Sequence, residues 1–147
     1  MTEHIEVLSE DECQALLLAG SIGRLGFVQG NFPVILPVNY RAMIDAKGHP
    51  SVLVRTRAGG TIDRAPFRVA FEVDGIDDLH HAGWSVLIQG ILRHAAPDGD
   101  EAKAALDPHP WPDGEHDAWL ILDPVNITGR RLPAAERPWA FHLSAYL

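Results

Sequence analysis

The spacing of the apolar segments restricts the fold of this chain more than any other feature. Between Gly23 and Leu132, apolar and polar residues alternate with a period close to two over six stretches, which is typical of β-strands. Most of the intervening segments are turns rich in Gly, Pro and Asp, too short for the crossover helix that parallel neighbours require. The sequence therefore predicts a mainly β protein, with six antiparallel strands in a small barrel.

Two short helices are predicted outside the strands. Ser9 and Glu12 form an SxxE capping box ahead of an apolar segment, and Gly20 is placed to end that helix. A later helix is predicted over residues 98–107, with the sequence DGDEAKAALD. The predicted architecture is thus one N-terminal helix, six strands and one short later helix.

Two residues predict irregular points in the strands. Pro37 has no N–H to donate to a β-ladder, which places it on an edge strand or at a bulge, where it becomes a candidate pocket wall. Gly90 interrupts a long strand, and a glycine in a strand interior often marks a bulge or a barrel corner.

Charge and composition exclude several classes of protein. The net charge of -8 and the pI of about 5.3 argue against a general nucleic-acid binder, which needs Lys and Arg to neutralise phosphates. No apolar run approaches the roughly 18 residues of a membrane span, and the first residues lack the pattern of a secretory signal. Cys13 is the only cysteine, so no intramolecular disulfide can form. We therefore expect a cytoplasmic protein that binds neither nucleic acid nor membranes.

Arginine is concentrated around one loop. Ten of the twelve basic residues are Arg, and four of these lie between positions 55 and 68, on both sides of Gly59 and Gly60. Guanidinium groups can hold a phosphate through two parallel hydrogen bonds, and Thr56, Thr61 and free loop amides would add donors. The alternative is a surface turn with solvated arginines, and composition alone favours neither. Arg130 lies near the end of the last predicted strand, and it too is either a contact for a ligand anion or a solvated surface residue.

Other kinds of chemistry have less support. Only two of the eight histidines are close in sequence, and adjacent residues of a strand point to opposite faces, so no metal site is expected. No nucleophile elbow surrounds any serine. Tryptophans can stack on a planar ligand, but core packing is their more usual role. Four carboxylates are candidate general acids or bases, although acidic loop residues are usually only solvated: Glu72, Asp74, Asp77 and Asp78.

Six sequence segments occur in an order that resembles a known family. They are GRLGF, PVNY, VRTRAGGTID, VAFEVD, GWSVLIQG and ITGRRL, within roughly residues 8–132. Together they resemble the FMN-binding split barrels of the pyridoxamine 5'-phosphate oxidase-like family, in its branch of small bacterial proteins. The resemblance implies a six-stranded split barrel that forms a homodimer, with FMN in clefts between the subunits and a nicotinamide as its reductant.

The resemblance also implies where the cofactor lies. Residues 54–56 would lie along the flavin ring and ribityl chain, with Asn39 approaching the ring, and residues 60–61 would hold the phosphate. Residues 84–86 would line the cleft, and Arg130 would approach the ligand from its own or the partner subunit. The full set of expected cofactor contacts is Asn39, Val54, Arg55, Thr56, Arg57, Gly60, Thr61, Trp84, Ser85, Val86 and Arg130.

One departure from the family pattern concerns the phosphate site. Relatives in this branch usually have Thr or Ser followed by Lys after the loop glycine, whereas this chain has Gly60-Thr61 and no lysine there. Arg57 or Arg64 would then supply the positive charge. A deazaflavin in place of FMN is the alternative cofactor.

Three functions remain open from the sequence. The first is an FMN-dependent oxidoreductase that passes electrons from a nicotinamide to a small organic acceptor, in which the flavin carries the chemistry and no catalytic residue is assigned. The second is a flavin- or deazaflavin-binding protein without turnover, and the third is a dimeric scaffold without a cofactor. We expect residues 1–132 to form the flavin-binding domain. Residues 133–147 would form a tail whose Trp139, Phe141 and Tyr146 suggest a lid on the partner's cleft.

Overall fold

The computed structural model describes residues 4–64, 66–95, 107–116 and 118–134 of the 147-residue chain. These residues form one helix and eight strands. The helix is α1 (Glu10–Ala19), and the strands are β1 (Glu6–Val7), β2 (Ile22–Gln29), β3 (Phe32–Asn39), β4 (Arg41–Ile44), β5 (Pro50–Thr56), β6 (Phe67–Asp77), β7 (Ala82–His94) and β8 (Ala118–Leu132). The second predicted helix, at residues 98–107, lies outside the described residues except for Asp107, and so does the tail beyond residue 134.

All eight strands belong to one antiparallel sheet. The order of the strands is β3-β2-β6-β7-β8-β5-β4, and β1 pairs with the C-terminal end of β8. The prediction of a mainly β, antiparallel protein is therefore confirmed. The edge strands β3 and β4 do not pair with each other in the described part of the chain, so the sheet is open.

The structure has eight strands where the sequence predicts six. The segment 34–45, predicted as one strand, is divided between β3 and β4 because the chain leaves one edge of the sheet at Asn39 and joins the opposite edge at Arg41. The other additional strand, β1, has only two residues, too few for an alternating pattern to be recognised in the sequence.

Both predicted irregularities are confirmed. Pro37 lies on the edge strand β3, where it pairs with Arg24 of β2. Gly90 lies at the register shift between β7 and β8, opposite Pro124. A Cβ at position 90 would collide with the Asp123 carbonyl, so only glycine allows this close approach of the two strands.

The position of Tyr40 forces the sheet to curl. This residue alone connects β3 to β4, which lie at opposite ends of the seven-strand path. A flat sheet with six spacings of roughly 4.8 Å would be about 29 Å wide, whereas two Cα–Cα steps span at most ~7.6 Å. The two edges therefore meet at this corner. The curled sheet encloses a core that includes Leu25, Tyr40, Val52, Val54, Phe71, Ile88, Leu92, Leu120 and Leu122.

Helix α1 packs against the sheet through two buried residues. The Ser9 side chain accepts a hydrogen bond from the Glu12 amide at 3.2 Å, as the capping box predicts. The Glu12 carboxylate accepts from Arg131 of β8 at 3.2 Å rather than returning to Ser9. Leu17 enters the core, and Cys13 packs with Leu8 and Val86 in a second apolar cluster.

Tyr40 also holds the end of this helix. Its hydroxyl donates to the Leu17 carbonyl at 2.6 Å, which satisfies one of the acceptors that the last helical turn leaves free. Its ring packs edge-on against Phe71 at 5.0 Å, and burial raises the pKa of Tyr40 to about 12. Gly20 has an extended rather than a left-handed backbone, and its role is to leave room, since a Cβ there would collide with the Tyr40 hydroxyl.

No helix in the described part of the chain is long and apolar enough to cross a bilayer.

Replacing Tyr40 and Gly20 tests this corner. Tyr40→Phe leaves the buried Leu17 carbonyl without its donor, and we expect it to lower the free energy of unfolding by about 1–3 kcal/mol in urea titrations. Gly20→Ala should also destabilise the protein. The double variant should lose less stability than the sum of the two single losses, because removing the Tyr40 hydroxyl makes room for the new methyl group. Strictly additive losses would contradict this arrangement, and Phe32→Leu, at an exposed edge position, is the control.

Candidate functional site

Four of the predicted site residues meet in one cavity, which we call the Arg55 pocket. It has a volume of about 250 Å³ and lies where β3 and β5 end, beneath the segment 107–116. The predicted residues that line it are Asn39, Arg55, Thr56 and Thr61. The other lining residues are Leu36, Pro37, Val38, Ile62, Pro110, Pro112 and His116. Pro37 is thus part of the wall, as the sequence suggested.

Arg55 is held by three groups of its own chain. Its Nη1 donates to both carboxylate oxygens of Asp107, at 2.9 and 2.7 Å, and its Nε donates to the His116 carbonyl at 3.1 Å. The guanidinium also lies over the ring of Trp119, 4.6 Å from its centroid. Partial burial acts to raise the pKa of Asp107, but hydrogen bonds from Arg55 and the His109 amide outweigh it, so that the pKa lies below its ordinary value. The positive charge of Arg55 is therefore matched by a carboxylate of the same chain.

The glycine loop has a similar internal arrangement. The Gly59 amide donates to Asp63 at 2.7 Å, and the other oxygen of this carboxylate lies 2.6 Å from His94 Nε2. The hydrogen bond from Gly59, followed by the one to His94, lowers the pKa of Asp63. The Gly60 amide closes a turn on the Arg57 carbonyl at 2.9 Å. The loop amides at positions 59 and 60 are thus already hydrogen-bonded, whereas Thr61 lines the pocket.

The two arginines expected to replace the missing lysine lie in different surroundings. Arg64 donates to the Val28 carbonyl at 3.0 Å and packs over Phe27 and Phe67, away from the Arg55 pocket. Arg57 is exposed, and its Nη2 lies beside Gly114 in the segment that covers the pocket. Of the two, Arg57 is the one close to the site.

Three more of the predicted residues line a second cavity, the Trp84 cleft. It has a volume of about 420 Å³, and Trp84, Ser85 and Arg130 line it together with the β6–β7 turn. Ser85 and Arg130 are paired across β7 and β8. Val86 and Val54 line neither cavity, because both side chains are buried in the apolar clusters of their own chain.

The two cavities lie at opposite ends of β8. Arg55 pairs with Trp119 near the start of this strand, and Ser85 pairs with Arg130 near its end. The eleven steps between Trp119 and Arg130 correspond to about 36 Å along an extended strand. One small ligand therefore does not contact both cavities of the same chain.

Sequence reasoning missed the segment 107–116. This segment supplies the Asp107 carboxylate and the His116 carbonyl to Arg55, and its Trp111 amide donates to Asn39 Oδ1 at 2.9 Å. The only signal was its content of proline and acidic residues, since Asp107 lies 52 positions from Arg55 in the sequence. Among the described residues, no group of three or more His, Cys, Asp or Glu side chains could hold a metal ion.

Two of the candidate acid–base residues form a cluster outside both cavities. Arg24 Nη1 donates to Asp74 at 2.9 Å and lies 3.8 Å from Glu72. Glu72 Oε1 is buried without a hydrogen-bond partner. Burial and the neighbouring Asp74 raise the pKa of Glu72 to about 7, against the opposing effect of Arg24.

Glu72→Gln tests the effect of this carboxyl on stability. Folding raises the pKa of Glu72 from 4.5 to about 7. The contribution of this carboxyl to the free energy of unfolding is therefore fully present below pH 4.5 and is lost as the pH rises through 7. The Gln variant mimics the protonated form, so we expect equal stability at pH 4.5 and a gain on the order of 1 kcal/mol at pH 8, allowing for solvent screening of a side chain that is 31% exposed. Urea titrations at the two pH values measure this. An equal change at both pH values would contradict it, and Glu115→Gln, at an exposed position, is the control.

Comparison with known families gives a match over most of the chain. Residues 9–131 match the family model described as pyridoxamine 5'-phosphate oxidase. An uncharacterized protein of Mycobacterium tuberculosis, Rv0080, is 30% identical in an alignment that covers 88% of this chain and 87% of that protein.

Solved structures share the fold. An FAD-binding protein from Mycobacterium smegmatis is 28% identical, with a TM-score of 0.65, over 88% of this chain and 100% of that one. A conserved protein of unknown function from Corynebacterium diphtheriae is 25% identical, with a TM-score of 0.73, over 88% of this chain and 98% of that one.

Proposed function

The chain belongs to the pyridoxamine 5'-phosphate oxidase family, and from this we propose that it binds a flavin in a site completed by two copies of the chain. The observation that carries the proposal is the separation of the two cavities. Residues expected on one flavin lie at opposite ends of β8, too far apart to contact one ligand within a single chain. The FAD-binding protein of Mycobacterium smegmatis, similar in sequence and fold, supports a flavin as the ligand.

The residues of the Arg55 pocket fit part of a flavin. Its wall of Leu36, Pro37, Val38 and Ile62 is apolar and suits a planar ring, while polar side chains at its rim suit hydroxyl or phosphate oxygens. The cavity of about 250 Å³ is smaller than the roughly 300–1,000 Å³ of pockets that enclose small molecules. The pocket of one chain therefore holds a portion of the cofactor.

The Trp84 cleft offers groups that would complete the site. It presents an indole, a hydroxyl from Ser85 and the guanidinium of Arg130, which is exposed and forms no ion pair with the described residues. In a two-fold dimer, the cleft of each copy would face the Arg55 pocket of the other, and both sites would be completed together. Arg130 of the partner subunit would then supply the positive charge that a lysine provides in relatives and that this chain lacks after Gly60.

The activity we propose is oxidoreduction in the cytoplasm. A bound flavin would accept electrons from a nicotinamide and pass them to a small organic acceptor, while residues of the chain bind and orient it. FMN is the form we propose first, with FAD and a deazaflavin as the forms to compare with it.

Binding without turnover is the second candidate function. The pairing of Arg55 with Asp107 favours it, because this arginine then has less charge available for a phosphate, and Gly60-Thr61 lacks the lysine of relatives. A protein that holds a deazaflavin or another planar anion would need less positive charge.

Titration with FMN, FAD and a deazaflavin, followed by absorbance, tests the proposed ligand. Arg55→Ala should weaken FMN binding about ten- to hundredfold, since a charge-assisted hydrogen bond contributes roughly 1.5–3 kcal/mol. Arg68→Ala, outside both cavities, should leave the affinity unchanged. Failure of all three ligands to bind would refute the proposal. Steady oxidation of NADH or NADPH by the loaded protein would favour the oxidoreductase over the binding protein.

Complementation between variants tests whether two chains form each site. Arg55→Ala and Arg130→Ala should each bind FMN weakly as homodimers. Co-expressed with different tags and purified as heterodimers, they should recover about half of the tight sites, because one site then contains both intact arginines. No recovery would show that the two arginines do not act on one ligand across an interface.

A further inference from the structure

The segment 107–116 contacts the same groups that the flavin site needs. Asp107 accepts two hydrogen bonds from Arg55, and the Trp111 amide donates one to Asn39 Oδ1. His116 adds its carbonyl to Arg55, while Pro110, Pro112 and His116 form part of the pocket wall. In this arrangement two of the polar residues expected on the flavin, Arg55 and Asn39, are bound to one segment of their own chain.

We propose that Asp107 is an internal competitor for Arg55, so that the segment 107–116 covers the pocket until a phosphate or carboxylate group of a ligand displaces the Asp107 carboxylate. This rests on the proposed function for the identity of the ligand. The competition itself is between two anions for one guanidinium Nη1.

The geometry of the ion pair makes the Asp107 carboxylate and a ligand anion mutually exclusive at Nη1 of Arg55. Both oxygens of Asp107 lie within 2.9 Å of Nη1, and Nε is taken by the His116 carbonyl. Arg55 and Asp107 are only 22% and 21% exposed, so an anion that enters beside them would face the Asp107 charge with little screening by water. A ligand anion can therefore bind Arg55 at this atom only after Asp107 leaves it.

The covering segment, whose Pro108 is buried, is held by few hydrogen bonds and includes a strained residue. Beyond the contacts of Asp107, Trp111 and His116, no hydrogen bond or ion pair joins side chains of this segment to the strands among the described residues. His109 has a positive φ of 48°, a conformation that costs a non-glycine residue roughly 1–2 kcal/mol. The His109 amide donates to Asp107 at 3.0 Å. The strained backbone is therefore part of the arrangement in which the Asp107 carboxylate binds Arg55. Loss of the Asp107–Arg55 pair would leave the segment with two hydrogen bonds to the strands and the burial of Pro108.

Asp107→Asn tests the competition, because it removes the charge and keeps the size of the side chain. Asp113→Asn, in the same segment and exposed, is the matched control. We expect Asp107→Asn to tighten FMN binding at least about fivefold while riboflavin, which lacks the phosphate, changes less than twofold. Equal changes for the two ligands would overturn the proposal in favour of a purely structural segment. Weaker FMN binding would also overturn it and make Asp107 a residue that positions Arg55.

A second measurement needs no flavin. Hydrogen exchange of the Trp111 amide reports whether the segment is closed, because that amide is bound to Asn39. Inorganic phosphate should speed this exchange in the native protein relative to chloride at equal ionic strength, and it should have little effect in Asp107→Asn. Identical exchange in phosphate and chloride would refute the competition, even if flavin binding is established. Absence of flavin binding with a clear phosphate effect would refute the proposed ligand and retain the competition.

Discussion

The fold depends on the single residue that connects the two edges of the sheet. Tyr40 lies between β3 and β4, and the eight-stranded sheet curls because no flat sheet allows one residue to connect its opposite edges. The hydroxyl of Tyr40 binds the last turn of α1, so the same residue fixes the helix on the curled sheet. Asn39 precedes this corner directly and thereby reaches the pocket that the end of β5 forms with Arg55. The position of the candidate site is thus a consequence of the way the sheet curls.

The polar groups of the Arg55 pocket are largely satisfied within the chain. Arg55 is bound to Asp107, Asn39 to the Trp111 amide and the Gly59 amide to Asp63. A buried polar group without a partner is costly, so these internal bonds stabilise the protein in the absence of a ligand. A ligand that binds at this site must replace hydrogen bonds that the protein already makes with itself. The free energy of binding is then the difference between the free energy of the ligand's contacts and that of the contacts it displaces. Thr56 and Thr61 line the same pocket and are not part of these bonds.

Much of the local structure follows from short-range patterns. The close spacing of alternating segments requires antiparallel neighbours, Ser9 caps α1, Pro37 lies on an edge strand and Gly90 lies at a bulge. The division at Tyr40 is not visible in the alternation, because Asn39, Tyr40 and Arg41 continue the same alternation of polar and buried side chains from β3 into β4. The resemblance to the family identified residues on two cavities. It did not reveal that eleven positions of β8 separate them within one chain.

By itself, the sequence determined most of the strands, helix α1, the antiparallel class of the sheet and the family to which the chain belongs. These properties depend on periodicity, capping and turn residues, which act over a few neighbouring positions. Only the tertiary structure decided which charges meet. The Asp107–Arg55 and Asp63–His94 pairs each join residues that lie tens of positions apart in the sequence. The division of the expected contacts between two cavities also involves residues that are far apart in the sequence. Such contacts arise from the curl of the sheet, and no local pattern in the sequence encodes them because each partner alone is compatible with an ordinary solvated surface.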